Sequence, residues 1–491
     1  MTRKKGLHSM ILASLMLFVA TQTGICQSHD QVWLLGYDPN DQINGFGGSM
    51  IDFSTDTPIV SFFEIPLDFR AIASISSAQG ELRLYSNGCV IVGADHQIIE
   101  GGDSINPGFI HDLYCEGGYP ASQGIIFVPV DNGLTKTYRL IHIWLSQAGI
   151  YEQLRYTQIE SVDDKLVVTQ PDVVIDSSSF ARNVSAVRHA NGRDWWILLF
   201  EYASNNAHIF LSEPSGVEKV HVQQIGPAWS FIDDAGQVTF SPDGSRYVRM
   251  NPDNGVHIYD FDRCSGELSN HLGFGFPTDT VFSGGAAFSP NGRYLYISTT
   301  LKLYQYDMWA ADIAGSHELV AVYDGFQSPL STAFYHAMLA PNGKIYLTAP
   351  ASVDRLHVIH NPNLHGEACN VEQHGVDLPT LHAFATPNFP HYRLGTWEGS
   401  PCDTLDPVLS TTALEDPVQV TVFPNPASDV ITIEANGQFE YWLFDVLGRD
   451  VARGRGWDTE QIDASVLLPG IYVTSVVWNG KTHSKKVLVG R

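Results

Sequence analysis

Apolar and polar positions alternate over short runs along most of this chain, at the two-residue period of half-buried strands, and turn formers punctuate the runs. The clearest unit is residues 238–247, Val-Thr-Phe-Ser-Pro-Asp-Gly-Ser-Arg-Tyr. Its alternation predicts a strand, Pro242 presets φ for a turn, Asp243 and Gly244 supply the turn, and a second strand starts at Tyr247. Close copies run from Ala287 to Tyr294 and from Met338 to Tyr346, with weaker copies at Ala190-Asn-Gly192, Asp131-Asn-Gly133 and Ala78-Gln-Gly80. The turn glycines are therefore Gly80, Gly133, Gly192, Gly244, Gly292 and Gly343, with gaps of 53, 59, 52, 48 and 51 residues. Spacing this regular identifies a repeat architecture. Between the turns, short strands are predicted at 124–128, 138–144, 194–200, 256–261 and 303–306, with almost no helical periodicity.

Four short strands per repeat is the size of a β-propeller blade, and closing blades into a ring protects most strand edges. The mean spacing is 52.6 residues, and residues 28–395 span 7.0 such spacings, so an all-β, seven-bladed propeller is expected. Its seventh turn would be the degenerate stretch from Ala385 to Asn388, followed by His391-Tyr-Arg393. The outer strands of that blade would come from 32–37 and 49–53, closing the ring as a clasp.

Residues 1–26 carry Arg3, Lys4 and Lys5, then an apolar run from Met10 to Ala20, then small or polar residues. That order predicts a removed secretory signal peptide, since the apolar core is too short to span a bilayer. No other apolar run is long enough to cross a membrane. The expected division is 1–26 signal peptide, 27–399 propeller, 400–417 linker and 418–491 a small immunoglobulin-like β-sandwich.

The repeated Phe-Ser-Pro-Asp-Gly units resemble the PD40 repeats of propellers similar to WD40 and TolB. The longer stretches at 84–89, 101–108, 187–196, 260–268 and 387–394 resemble secreted propellers of Bacteroidota. The resemblance covers roughly 30–405 and implies a fold, with no activity attached. Residues 420–491 resemble the type A C-terminal sorting domain of the type IX (Por) secretion system. The motif residues are Pro424, Asn425 and Pro426 before the first long strand, Gly448 in the middle turn, Gly470 and Tyr472, and Lys485 and Lys486 in the last strand. This implies export across the outer membrane, the secretion machinery and a surface sortase as partners, and attachment to lipopolysaccharide or release. The expected location is outside the cell or on its outer surface.

Charge supports an extracellular setting. The formal charge is −25 at pH 7, or −28 without residues 1–26, and residues 27–417 hold 45 acidic against 18 basic side chains. Such a surface repels nucleic acid and anionic lipid, and repels anionic polysaccharide unless a cation bridges them. Five cysteines follow residue 26, none in a Cys-x-x-Cys pair, so zinc and thioredoxin chemistry lack support. Disulfides are expected: Cys89 with Cys115 first, Cys369 with Cys402 second, leaving Cys264 buried and inert.

Catalytic motifs are few. There is no nucleophile elbow, phosphate loop or His-Glu-x-x-His. His142, His189 and His336 in or beside predicted inner strands are candidates for a metal cluster at a channel mouth, against the plainer reading of three separately bonded histidines. Asp163-Asp164 and Asp233-Asp234 are candidates for calcium or acid–base work, or simply solvated loops. Trp229-Ser-Phe231 and Trp309 would stack on sugars or fill gaps between blades. No cofactor is expected, with calcium as an open alternative. Three functions follow as expectations: a surface binding module for an unknown ligand, a glycan hydrolase or lyase acting at the channel mouth, or a structural or adhesive component.

Overall fold

The computed structural model describes residues 27–37, 44–131, 136–229, 236–277, 281–384, 386–403, 420–445, 449–478 and 481–490. The predicted signal peptide, Gly133, Asp233-Asp234, Phe231, Ala385 and Gly448 lie outside these residues, as does most of the 400–417 linker. The chain divides into two compact units between Leu405 and Asp406.

In the first unit, seven antiparallel sheets are formed among the described residues, spanning 32–63, 73–93, 125–176, 185–224, 237–274, 286–322 and 337–382. They are called sheets one to seven here. The first two have three strands and the others four. In sheets two to seven, the first strands lie side by side in chain order, giving the radial arrangement of a propeller. Burial falls outward. The first strands Ala73–Ser76, Ser185–Arg188 and Ala286–Phe288 are wholly buried, whereas the fourth strands Gly216–Gln224 and Glu318–Val322 are largely exposed. This explains why Trp195–Phe200, Trp-Trp-Ile-Leu-Leu-Phe, is apolar throughout: it is buried on both faces between neighbouring sheets.

The repeat turns share one geometry. The N–H of Gly80, Gly192, Gly244, Gly292 and Gly343 donates to the carbonyl three residues earlier at 2.8–3.0 Å. Each of these glycines has φ between 68° and 91°, a left-handed region that a Cβ disfavours.

Sheet one packs between sheets two and seven: Trp33, Leu35 and Ile51 share a core with Ile72, Tyr85 and Val92 on one side and Met338, Tyr346 and Leu356 on the other. Its strand Val32–Tyr37 lies beside the first strand of sheet two, so this strand is innermost in its sheet, not an outer strand of a blade begun by the C-terminal stretch. Residues 386–393 form no strand. Pro387 and Pro390 have no N–H to give a ladder.

That stretch instead runs down the axis of the ring. The backbone N–H of Asn388 donates to Ile72 O at 3.0 Å, and its side-chain amide donates to Ile125 O and Val184 O at 2.9 and 3.0 Å. Further along, His391 Nε2 bonds Phe240 O at 3.0 Å and Tyr392 Oη donates to Phe127 O at 2.7 Å. The chain reaches the repeat-turn end, where Trp397 N–H donates to Ala190 O at 2.8 Å. There Cys402 is bonded to Cys264 with Cα atoms 5.6 Å apart.

Cys89 and Cys115 form the other disulfide, Cα–Cα 5.7 Å. The second pairing differs from the expected Cys369–Cys402, and Cys264 is not the free thiol. Cys369 is the buried free cysteine. The axial path brings Cys402 to the turn end of sheet five, beside Cys264, although Cys369 is much nearer in sequence.

The second unit has five antiparallel strands: Val420–Phe423, Val430–Asp445, Asp450–Asp463, Gly470–Trp478 and Lys481–Val489. The long second strand changes neighbours along its length. Residues 432–435 pair with 420–423 and 430–434 with 459–463, while 439–445 pair with 472–478 and 438–444 with 450–457. A register shift between Glu434 and Gln438 separates the halves, and one core holding Ile431, Phe439, Tyr441, Val476 and Val487 joins them.

Candidate functional site

In an antiparallel blade the chain re-enters each new sheet from the same end of the ring, so the residues just before successive first strands converge there. Arg70, Ser122, Arg182, Ser283 and Tyr335 occupy this position before sheets two, three, four, six and seven. With Pro350 and Phe384 from sheet seven they line a cavity of ≈380 Å³ at the mouth of the axis.

A buried amide layer surrounds the axis at this end. Gln123 Oε1 accepts from Val238 N–H at 2.9 Å and from Asn183 Nδ2 at 3.0 Å, while its Nε2 donates to Val238 O at 3.2 Å. Gln237 Oε1 accepts from the N–H groups of Ala286 and Ala337, both at 2.9 Å, and its Nε2 donates to Ala337 O at 2.7 Å. Two glutamines thereby stitch strand starts from different sheets, and Asn388 fills the remaining space.

Phe384 stands at the edge of the mouth. The residue is 43% exposed and its φ is 66°, a left-handed conformation unfavourable to a bulky aromatic residue. Two bonds hold it: its N–H donates to Ala349 O at 3.2 Å, and Thr348 Oγ1 donates to its carbonyl at 2.8 Å. Strain of this kind, imposed by the surroundings, is concentrated at binding and catalytic sites.

Arg70 and Phe384 also line a second, larger cavity of ≈850 Å³ that continues the mouth outward as a groove. Its walls include Tyr37, Asp68, Asp103 and Asn87, together with Tyr114 and Glu116 at the end of the short helix Phe109–Tyr114. The Cys89–Cys115 bond ties this wall to sheet two.

The three candidate histidines do not meet. His142, on the second strand of sheet three, is bonded through Nδ1 to Asn106 Oδ1 at 2.7 Å and through Nε2 to Thr157 Oγ1 at 3.1 Å. Burial pulls its pKa down to about 3. His189 Nδ1 accepts from Asn191 N–H at 3.0 Å in a repeat turn, its ring 5.2 Å from Trp196. His336 lies by the axis with Nε2 on Gly236 O at 3.2 Å, and burial lowers its pKa to about 4. Among the described residues no group of three or more His, Cys, Asp or Glu could hold a metal ion.

Asp163 and Asp164, both with φ above 45°, form the two-residue turn joining the last two strands of sheet three. Trp229 is buried, with the Arg249 guanidinium 3.7 Å from its ring. Trp309 is exposed and has Arg293 over its ring at 5.1 Å. The residues that do converge, Arg70, Arg182 and Phe384, were not singled out from the sequence. The usable signal was position alone, since Arg70 and Arg182 each sit three residues before a first strand.

In the second unit Asn425 and Tyr472 make structural hydrogen bonds. Asn425, between Pro424 and Pro426, reaches the last strand: its Nδ2 donates to Lys486 O at 2.9 Å and its Oδ1 accepts from Leu488 N–H at 2.8 Å. Gly470 opens a strand, and Tyr472, buried, donates to Leu468 O at 2.8 Å. Lys485 and Lys486 are exposed. Residues 421–490 match the family described as secretion system C-terminal sorting domain. The second unit is a type IX sorting domain. The sorting domain directs the protein through the type IX system to the cell surface or the extracellular space. Among the described residues no helix is long and apolar enough to cross a membrane.

The chain is also similar in structure to propeller proteins. A putative 6-phosphogluconolactonase from Bacteroides uniformis is 12% identical, with 71% of this chain and 97% of that one covered and a TM-score of 0.46. A periplasmic gluconolactonase from Pseudomonas aeruginosa is 13% identical over 73% and 97%, with a TM-score of 0.40. The Dos1 propeller is 13% identical over 66% and 90%, with a TM-score of 0.37. Nothing about activity passes to this chain from likenesses so distant. No curated protein matches it in sequence.

Proposed function

We propose that the propeller is a ligand-binding module delivered outside the cell by its sorting domain, with its binding site at the mouth of the axis. The observation that carries this reading is Phe384, an exposed aromatic ring held at φ 66° where the mouth and groove cavities join. A cavity assembled from five sheets on a rigid ring is a favourable place for a ligand. Turnover requires a carboxylate, imidazole or other base in reach of the reacting atom. The described residues lining the mouth supply two guanidinium groups and hydroxyls instead, and the carboxylates and imidazole of Asp68, Asp103, Glu116 and His111 line the groove beyond it, which favours binding over turnover at the mouth itself.

In this reading residues 1–26 are removed on export, and a surface sortase removes the sorting domain, either releasing the propeller or attaching it to lipopolysaccharide. The Cys264–Cys402 bond would then keep the axial segment in place after that cleavage.

The test is a retention and turnover screen of the protein and its Phe384→Ala variant against oligosaccharide and peptide panels. Retention that is lost in the variant, without product, supports the reading. Product formation by the wild type would replace it with the enzyme reading, and identical retention by both proteins would move the site elsewhere.

A further inference from the structure

Building on the mouth as the ligand site, we infer that its ligand is an oligosaccharide that is neutral except for one carboxylated sugar at the end that enters the mouth.

The first argument is charge. Residues 27–417 hold 45 acidic and only 18 basic side chains, yet the charged side chains among the described residues of the mouth are Arg70 and Arg182. The Arg182 guanidinium lies 5.8 Å from the Tyr151 ring, and its field reaches inward far enough to help keep His336 neutral. Two forked guanidinium groups in a cavity without carboxylates suit a planar carboxylate.

The second argument is the ring beside them. Phe384, exposed and held in a strained conformation, offers an apolar face in the cavity that both arginines line. Stacking of a sugar ring on that face would place a carboxylate carried by the ring near the cations.

The third argument limits the acid to one residue. Past Arg70 the groove wall becomes mainly acidic: Asp68, Asp103 and Glu116 line it, together with His111, Tyr37 and Tyr114. Carboxylates accept hydrogen bonds from sugar hydroxyls and aromatic rings stack on sugar faces. The same carboxylates repel a second uronic acid, so a polyuronate is a poor ligand. A peptide is disfavoured on other grounds. The groove is lined by loops and a six-residue helix, and a peptide gains most of its main-chain bonding from an open strand edge.

The full chain is titrated calorimetrically with a tetrasaccharide ending in one glucuronic acid, with its carboxyl-reduced counterpart, with tetragalacturonate, and with a tetrapeptide bearing a free C-terminal carboxylate. The single-acid probe is expected to bind about tenfold more tightly than each of the others. Arg70→Gln, at an exposed position, is expected to abolish that preference, so that the acidic and the reduced probe bind equally. Phe384→Ala should weaken both oligosaccharides.

Equal binding of the acidic and reduced probes, a preference that survives Arg70→Gln, tighter binding of tetragalacturonate, binding of the peptide alone, or no binding of any probe would each overturn the inference. The two readings fail differently. If Phe384→Ala weakens binding but carboxyl reduction changes nothing, the mouth stands and the acidic ligand falls; if neither variant alters the binding of any probe, the mouth itself is excluded.

Discussion

The side-chain amide of Asn388 donates to the carbonyl of Val184 at 3.0 Å, across 204 residues of sequence. The same amide donates to Ile125 O, and its oxygen is 3.4 Å from Gln123 Nε2, so one side chain on the axial segment satisfies groups from two sheets. Asn388→Ala would leave two carbonyls buried without these partners, and is expected to cost about 2–4 kcal/mol. Asn388→Asp is expected to cost at least as much despite its matching shape, because a carboxylate cannot donate to either carbonyl. Chemical denaturation of both variants measures this. A loss below about 0.5 kcal/mol, the size of an ordinary surface substitution, would mean the axial segment contributes little to the ring.

The Cys264–Cys402 bond spans 138 residues and fastens the segment where it leaves the axis. Removing it with Cys402→Ser is expected to cost about 2–4 kcal/mol and to open the chain near Trp397 to proteolysis. Cys369→Ser should leave the dependence of stability on reductant unchanged, because this thiol is buried and unpaired with another cysteine. Alkylation in denaturant without reductant, followed by peptide mapping, checks the pairing directly: label is expected on Cys369 and absent from Cys264 and Cys402.

The repeat turns were legible in the sequence because each needs the same local chemistry, a turn former and a glycine at positive φ. The axial segment was not, because its role depends on distant carbonyls. Pro387 and Pro390 did signal that 386–393 could not join a ladder, but Phe389, His391 and Tyr392 look in sequence like strand residues. The second cysteine pairing, Cys369 with Cys402, failed for the same reason, since only the path down the axis brings Cys402 to Cys264, whereas Cys89–Cys115 formed as expected. The mouth was hidden more completely. Arg70 and Arg182 share only their place three residues before a first strand, which Phe384 does not, and radial topology brings the three together.

Acid sensitivity follows from the histidines. Burial, chiefly, holds His29, His257, His336, His357 and His382 at a pKa of about 4 and His142 at about 3. Their unfolded value is near 6.5, so below that pH the unfolded chain takes up protons that the folded chain does not. Stability is therefore full above about pH 6.5 and falls as pH drops toward 4, each histidine adding a slope of up to about 1.4 kcal/mol per pH unit. Asp30 and Asp172 have pKa values raised by burial, which has the opposite sign and offsets part of the loss. His142→Gln is expected to make unfolding free energy less dependent on pH between 6 and 4.5. An unchanged slope would show that His142 already titrates when folded.

The last prediction concerns Asn425 in the sorting domain. Its two bonds to Lys486 O and Leu488 N–H join the segment before the long strand to the final strand, beside the bond from Ala427 N–H to Leu488 O at 2.7 Å. These contacts are exposed, so water replaces them when they are lost, and Asn425→Ala should cost only about 1 kcal/mol. The exposed Lys485 and Lys486 do no comparable packing, and reversing their charge should leave the melting of this unit within about 2 °C of wild type, as for surface substitutions generally. Export separates the two roles. If the machinery reads the folded strand arrangement, Asn425→Ala reduces the amount of protein outside the cell in proportion to its loss of stability. If it reads the basic surface of the last strand, Lys485→Glu with Lys486→Glu blocks export while the domain stays folded. Immunodetection of cell-surface and medium fractions, set against the melting curves of the same variants, decides between these outcomes.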